Sequence, residues 1–113
     1  MFEVTKCFCK NMSMFKTLEE LVDIIRQRKN STKDKSYTNQ LLNNKNLCKE
    51  KVEEEIQELL EAISQNKNQV HESADVIYHL LVLLESNNIK IEDVMNELKQ
   101  RQKKSGLEEK ASR

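Results

Sequence analysis

KVEEEIQELLEAIS (51–64), the polar turn QNKN (65–68) and QVHESADVIYHLLVLLE (69–85) decide the fold of this chain. Both flanks carry apolar residues at helical spacing, and neither contains a breaker. Each also carries a pair of acids three residues apart: Glu55 and Glu58, then Glu72 and Asp75. Positions i and i+3 share one face of an α-helix. An antiparallel hairpin of the two helices therefore gathers four carboxylates. A hard cation such as Mg²⁺ wants such an all-oxygen set, completed by water and substrate phosphates.

On the first helix Val52, Ile56, Leu59, Leu60 and Ile63 form the expected apolar stripe, with Lys51, Glu55, Glu58 and Ala62 beside it. Glu53, Glu54 and Glu61 point further out. On the second, Val70, Ala74, Ile77, Leu81 and Leu84 make one apolar face and Val76, Leu80 and Leu83 another. A helix apolar on two faces is buried on two faces. In so short a chain the second face calls for a partner, so the expected assembly is a homodimer or higher. The third stripe is Glu72, Asp75, His79 and Val82.

Working outward, Thr17-Leu-Glu-Glu20 reads as a capping box that opens a helix to about Lys29, with Leu18, Leu21, Val22 and Ile25 on one face. Asn30–Lys35 is a polar loop, and Ser36-Tyr37-Thr38 starts a short helix through Leu41 and Leu42. After a turn at Ser86–Lys90, a last helix over Ile91–Lys103 is expected to face inward with Val94, Met95 and Leu98. The expected organisation is a disordered leader over 1–13, one all-α domain over 14–104 built as a bundle of four to five helices, and a tail over 105–113.

Composition agrees. Of 113 residues 34% are charged and 4% aromatic, with one glycine and no proline, which leaves little to interrupt helices. The formal net charge is zero, so no broad field favours nucleic acid or an anionic membrane. The apolar run Val76–Leu84 is too short to span a bilayer. Cys7, Cys9 and Cys48 form neither a CxxC pair nor a zinc spacing, and an odd count without a signal peptide fits a cytoplasmic protein.

One ExxE pair means little, because a charged helix face supplies the same spacing. The second pair weighs more. Glu72 and Asp75 lie beside Ala74, Val76 and Ile77, and unpaired carboxylates at the edge of a core are costly. A shared divalent cation accounts for them; so does a charged rim.

Glu54-Glu55-x-x-Glu58, thirteen residues, then Glu72-x-x-Asp75 resembles the EExxE…ExxD signature of the all-α NTP pyrophosphatase (MazG-like) superfamily. Ser36-Tyr37-Thr38 before Leu41-Leu42, Lys51 ahead of the acids, Ala74-Asp75 with Tyr78-His79, and the tail SGLEEKASR (105–113) together resemble the phosphoribosyl-ATP pyrophosphatase family. The likeness runs from about Leu18 to Arg113. Glu53, Ser73 and Lys90 depart from the usual pattern without removing a motif acid.

The resemblance implies hydrolysis of phosphoribosyl-ATP to phosphoribosyl-AMP and pyrophosphate, the second step of histidine biosynthesis, with Mg²⁺ as cofactor. It implies Glu55, Glu58, Glu72 and Asp75 as Mg²⁺ ligands, and Glu54 or Glu55 as the acid that orients the attacking water. Lys51 is implied on a phosphate, against the plainer reading of an ion pair with Glu55. Tyr37 and Thr38 are implied in the nucleotide pocket, against a simple helix start. His79 is implied at the base or a phosphate, against a packed core histidine. Lys110 and Arg113 are implied at the phosphoribosyl end, against a frayed terminus. Two rivals stand beside this reading: a house-cleaning nucleoside triphosphate pyrophosphatase with the same four acids, and a non-catalytic helical dimerisation module with decorative ones.

Overall fold

Asparagine does the work that glycine does in most helical proteins. The computed structural model describes residues 12–31 and 36–103, and these contain helices α1 (Met12–Asn30), α2 (Tyr37–Leu42), α3 (Lys45–Gln65), α4 (Gln69–Ser86) and α5 (Ile91–Arg101). No strand occurs among the described residues. Left-handed Asn66 (φ 53°) ends α3, where the Lys67 N–H bonds the Ala62 carbonyl at 3.0 Å and the Asn66 N–H bonds Ile63 at 3.2 Å. Asn88 (φ 58°) ends the α4 turn in the same way, with the Ile89 N–H on Leu84 at 2.9 Å and its own N–H on Glu85 at 3.1 Å. This is the Schellman pattern, which needs positive φ, and asparagine tolerates it better than any other residue with a Cβ. Ser36 caps α2 by accepting from the Asn39 N–H, and Asn44 caps α3 by accepting from Leu47. Lys90 precedes α5 and offers no side-chain cap.

Three local expectations need correction. Thr17 does not cap α1, because the helix already begins at Met12. Nothing in Met14-Phe15-Lys16 breaks a helix, and extending one adds a bond per residue without a new nucleation cost. The inward stripe of α3 is rotated: Cys48, Val52 and Ala62 are buried, whereas Ile56, Leu60 and Ile63 are exposed. The last helix stops at Arg101 and buries no residue, with Val94 half-buried and Met95 and Leu98 exposed. Leader residues 1–11 with Cys7 and Cys9, and the tail from Lys104, lie outside the described residues.

The α3–α4 hairpin is the frame. The core sits at its open end, where Ile25, Leu41, Leu42, Cys48, Leu81 and Val82 pack together with Leu18, Leu21, Val22, Tyr78 and Leu83 around them. Helix α1 covers Leu81 and Leu84 but leaves the upper part of the same stripe bare: Val70, Ala74 and Ile77 are exposed. Burial raises the Cys48 thiol above its ordinary pKa and keeps it a packed, protonated core residue.

Polar clamps fix α1 against the far end of α4. Arg26 donates to both Glu92 oxygens at 2.9 and 2.7 Å and to Glu85 at 3.4 Å. The Lys29 ammonium donates to the Glu85 carbonyl and to Asn88 Oδ1, each at 2.9 Å. Arg26 holds the Glu92 carboxyl at about 2, against an ordinary 4.5. A depressed folded-state pKa gives stability that is complete above the unfolded value and lost as pH falls through the folded one. Glu92→Gln should therefore melt below wild type at pH 7, modestly because the pair is exposed, and level with it near pH 2. A thermal-melt series over pH 7 to 2 checks this; a deficit that persists unchanged at pH 2 removes the electrostatic account of the clamp.

Candidate metal centre and family

The turn end of the hairpin is acidic because the same stripe that enters the core on α4 begins with acids. Glu72, Asp75, His79, Val82 and Ser86 follow one another along that face, and His79, Val82 and Ser86 are buried. On α3 the matching face carries Glu55, Glu58 and Ala62, and the small Ala62 side chain lets the helices approach. One oxygen from each of Glu55, Glu58 and Glu72 lies within 4.8 Å of the others. Asp75 joins through Glu72 in a second group with His71, whose Nε2 stands 3.4 Å from Asp75 Oδ2. Of the four acids singled out from spacing, Glu55, Glu58 and Glu72 meet across the hairpin, and Asp75 stands beside Glu72 on α4. His71 was not among them, although it lies one turn before Asp75 and that spacing was readable.

Two oxygens in this cluster, Glu55 Oε2 and Glu72 Oε2, are buried without a hydrogen-bond partner. Burial raises the Glu55 pKa first, and the neighbouring Glu58 charge adds to it. Burial and then Glu58 raise that of Glu72. Desolvated, mutually repelling carboxylates with free lone pairs are what an oxygen-seeking divalent cation relieves, so the residues present fit such an ion.

Glu54 is exposed, and its Oε2 lies 3.2 Å from the Lys51 ammonium. The ion pair foreseen for Lys51 forms with Glu54, not Glu55. Spacings of i+3 and i+4 are equivalent in periodicity, and here the inward turn of Glu55 leaves Glu54 as the partner.

Beside the acids lies an aromatic group. Tyr37 stacks on Tyr78 with centroids 6.4 Å apart, and His79 meets both edge-on at 5.7 and 4.9 Å. His79 Nδ1 lies 2.7 Å from the Asp75 carbonyl oxygen, and Nε2 lies 2.9 Å from the Tyr37 hydroxyl. Thr38 is buried, and its hydroxyl bonds that of Tyr78. Burial raises the Tyr37 pKa, with Lys51 opposing and Glu55 adding to the shift, so this ring borders both charged groups. Lys110 and Arg113 lie outside the described residues.

No described helix is long and apolar enough to cross a membrane. The family model described as phosphoribosyl-ATP pyrophosphohydrolase matches residues 18–102. The phosphoribosyl-ATP pyrophosphatase of Allorhizobium ampelinum is 42% identical over 105 residues, covering 90% of this chain and 100% of the relative. That of Dechloromonas aromatica is 41% identical over 105 residues, covering 90% and 97%. That of Clostridium novyi is 38% identical over 98 residues, covering 84% and 89%. With residues 18–102 matched by the family model and relatives of about 40% identity spanning most of its length, the chain belongs to the phosphoribosyl-ATP pyrophosphohydrolase family.

Proposed function

We propose that this chain hydrolyses phosphoribosyl-ATP to phosphoribosyl-AMP and pyrophosphate, the second step of histidine biosynthesis. The observation that carries the reading is the carboxylate cluster with its two buried, partnerless oxygens. Glu55, Glu58, Glu72 and Asp75 would hold a magnesium ion. Bound there, it supplies positive charge for the phosphate oxygens around the α–β anhydride. Glu54 holds Lys51 by its ion pair, and the Lys51 ammonium is the chain's own phosphate contact. Glu54 or Glu55 is the acid that orients the attacking water and takes its proton. The water oxygen bonds to phosphorus, the Pα–O–Pβ bridge breaks, and pyrophosphate leaves with the bridging electron pair.

The direct test is hydrolysis of phosphoribosyl-ATP beside a panel of ordinary and deoxynucleoside triphosphates, with Mg²⁺ present and then chelated. Magnesium-dependent pyrophosphate release from phosphoribosyl-ATP far above the panel is expected. Faster turnover of a plain triphosphate moves the chain to the house-cleaning class, and no turnover at all moves it to a binding module.

Lys110 and Arg113 are proposed to bind the phosphoribosyl end. These cations would meet the substrate away from the scissile bond, so they add uniform binding. Ending the chain at Lys104 should raise KM for phosphoribosyl-ATP about tenfold with little change in kcat. An unchanged KM leaves the tail without a substrate contact.

A further inference from the structure

His71 carries its imidazole on the solvent side of the α4 acids: its side chain is 73% exposed, against 36% for Asp75. The two residues are one helical turn apart and share a face. His71 Nε2 lies 3.4 Å from Asp75 Oδ2. An exposed ion pair accounts for that distance alone. It does not account for Glu72, which brings a carboxylate oxygen within 4.8 Å of both partners. Glu72 Oε2 is also buried without a hydrogen-bond partner, so the third member of the group has an oxygen unspent. One nitrogen and two carboxylates thus converge from a little over one turn of helix. Two ligands bonded at about 2.0–2.1 Å to one tetrahedral ion stand about 3.4 Å apart, and His71 and Asp75 already have that spacing.

We propose that His71, Glu72 and Asp75 form a second, outer metal site, which takes a borderline divalent cation such as Zn²⁺ in preference to Mg²⁺. Imidazole suits zinc, whereas magnesium is a hard ion that takes oxygen ligands and gives up water reluctantly. Three protein ligands and a fourth position left to water form a common zinc arrangement, and the exposure of His71 leaves room for that water. The inner group, Glu55, Glu58 and Glu72, is all oxygen and stays with magnesium. Glu72 and Asp75 also belong to the magnesium set proposed above, and such shared acids can serve two ions about 3.5–4 Å apart. The inference rests on the carboxylate cluster and not on the substrate.

The test titrates Zn²⁺ by calorimetry into the full chain held in excess Mg²⁺, without substrate. Wild type should take one zinc that His71→Ala binds about a hundredfold more weakly, the cost of a lost ligand. Titrated without zinc, Mg²⁺ should bind the two proteins alike. The exposed position of His71 makes the substitution harmless to the fold, which a melt of the metal-free variant beside wild type checks. X-ray absorption at the zinc edge supplies the second measurement. The chain has two histidines. The wild-type spectrum should show scattering from one imidazole, and His71→Ala should lose it. Unchanged zinc binding in His71→Ala, or a zinc with oxygen ligands only, overturns the site. So does a zinc affinity that falls in proportion to added Mg²⁺, because that puts both ions in one place. None of these measurements needs turnover. A wild type inactive on phosphoribosyl-ATP that binds this zinc sinks the functional reading alone; an active one without a His71-dependent zinc sinks the outer site alone.

Discussion

Glu72→Gln is expected to abolish hydrolysis and, in the absence of metal, to raise the melting temperature. Glu72 belongs to both carboxylate groups of the site, so its loss disrupts the ligand set on two sides. Loss of an outer-shell partner alone typically costs 10–100-fold in metal affinity or activity, and loss of a ligand should cost at least about a hundredfold. The stability effect has the opposite sign. The pKa of Glu72 is raised in the fold by burial and by Glu58. The unfolded chain therefore ionises first as pH rises from 4.5, and from there the fold loses stability until Glu72 itself ionises. Above the raised pKa of Glu72 that cost is fully present, and an isosteric amide removes it. Melting with and without Mg²⁺ separates the two effects: the ion should raise the wild-type transition by linkage and leave that of the variant in place. Wild-type turnover in the variant, or a metal-free transition below wild type, would refute the metal-site assignment.

Ile77→Lys should dissociate the protein. The dimer itself is a proposal, and its support is the bare apolar surface of the hairpin: Ile56, Leu60 and Ile63 on α3, with Val70, Ile77 and Leu80 on α4. Val70 is 86% exposed, so the described residues leave it almost uncovered. A two-fold interface counts each side chain twice. Ile77 is 48% exposed, so losing it from both copies removes about 1.5–3 kcal/mol of burial, or about one to two orders of magnitude in the dimer dissociation constant, and two buried lysine charges add to that. Leu83 is the wrong place for this test, although it lies on the second apolar face of the sequence pattern. It packs against the core, and lysine there would damage the monomer itself. Light scattering at micromolar concentration checks both ends: a dimer for wild type, a folded monomer for Ile77→Lys. A monomeric wild type removes the interface.

The site was legible in the sequence as far as helical spacing reaches. Glu55 with Glu58 and Glu72 with Asp75 are local pairs, and an antiparallel hairpin joins them with no further information. The Tyr37–His79 bond was not legible, since it spans 42 residues and depends on how α2 lies across α4. Neither was the partner of Lys51, because Glu54 and Glu55 are both one turn away.

By itself the sequence determined an all-α chain, the hairpin at 65–68 and the acids on its inner faces, since helical periodicity and the lack of glycine and proline are local properties. Only the tertiary structure decided which stripe of each helix points inward. Helix α4 is apolar over most of its circumference, so its pattern alone ranks no face above another. Contact with α1 and α2 breaks the tie: it buries Leu81 and Val82 and leaves Val70 and Ile77 bare. It also sets His79 between the core and the carboxylates, where its ring reaches both the Asp75 carbonyl and the Tyr37 hydroxyl.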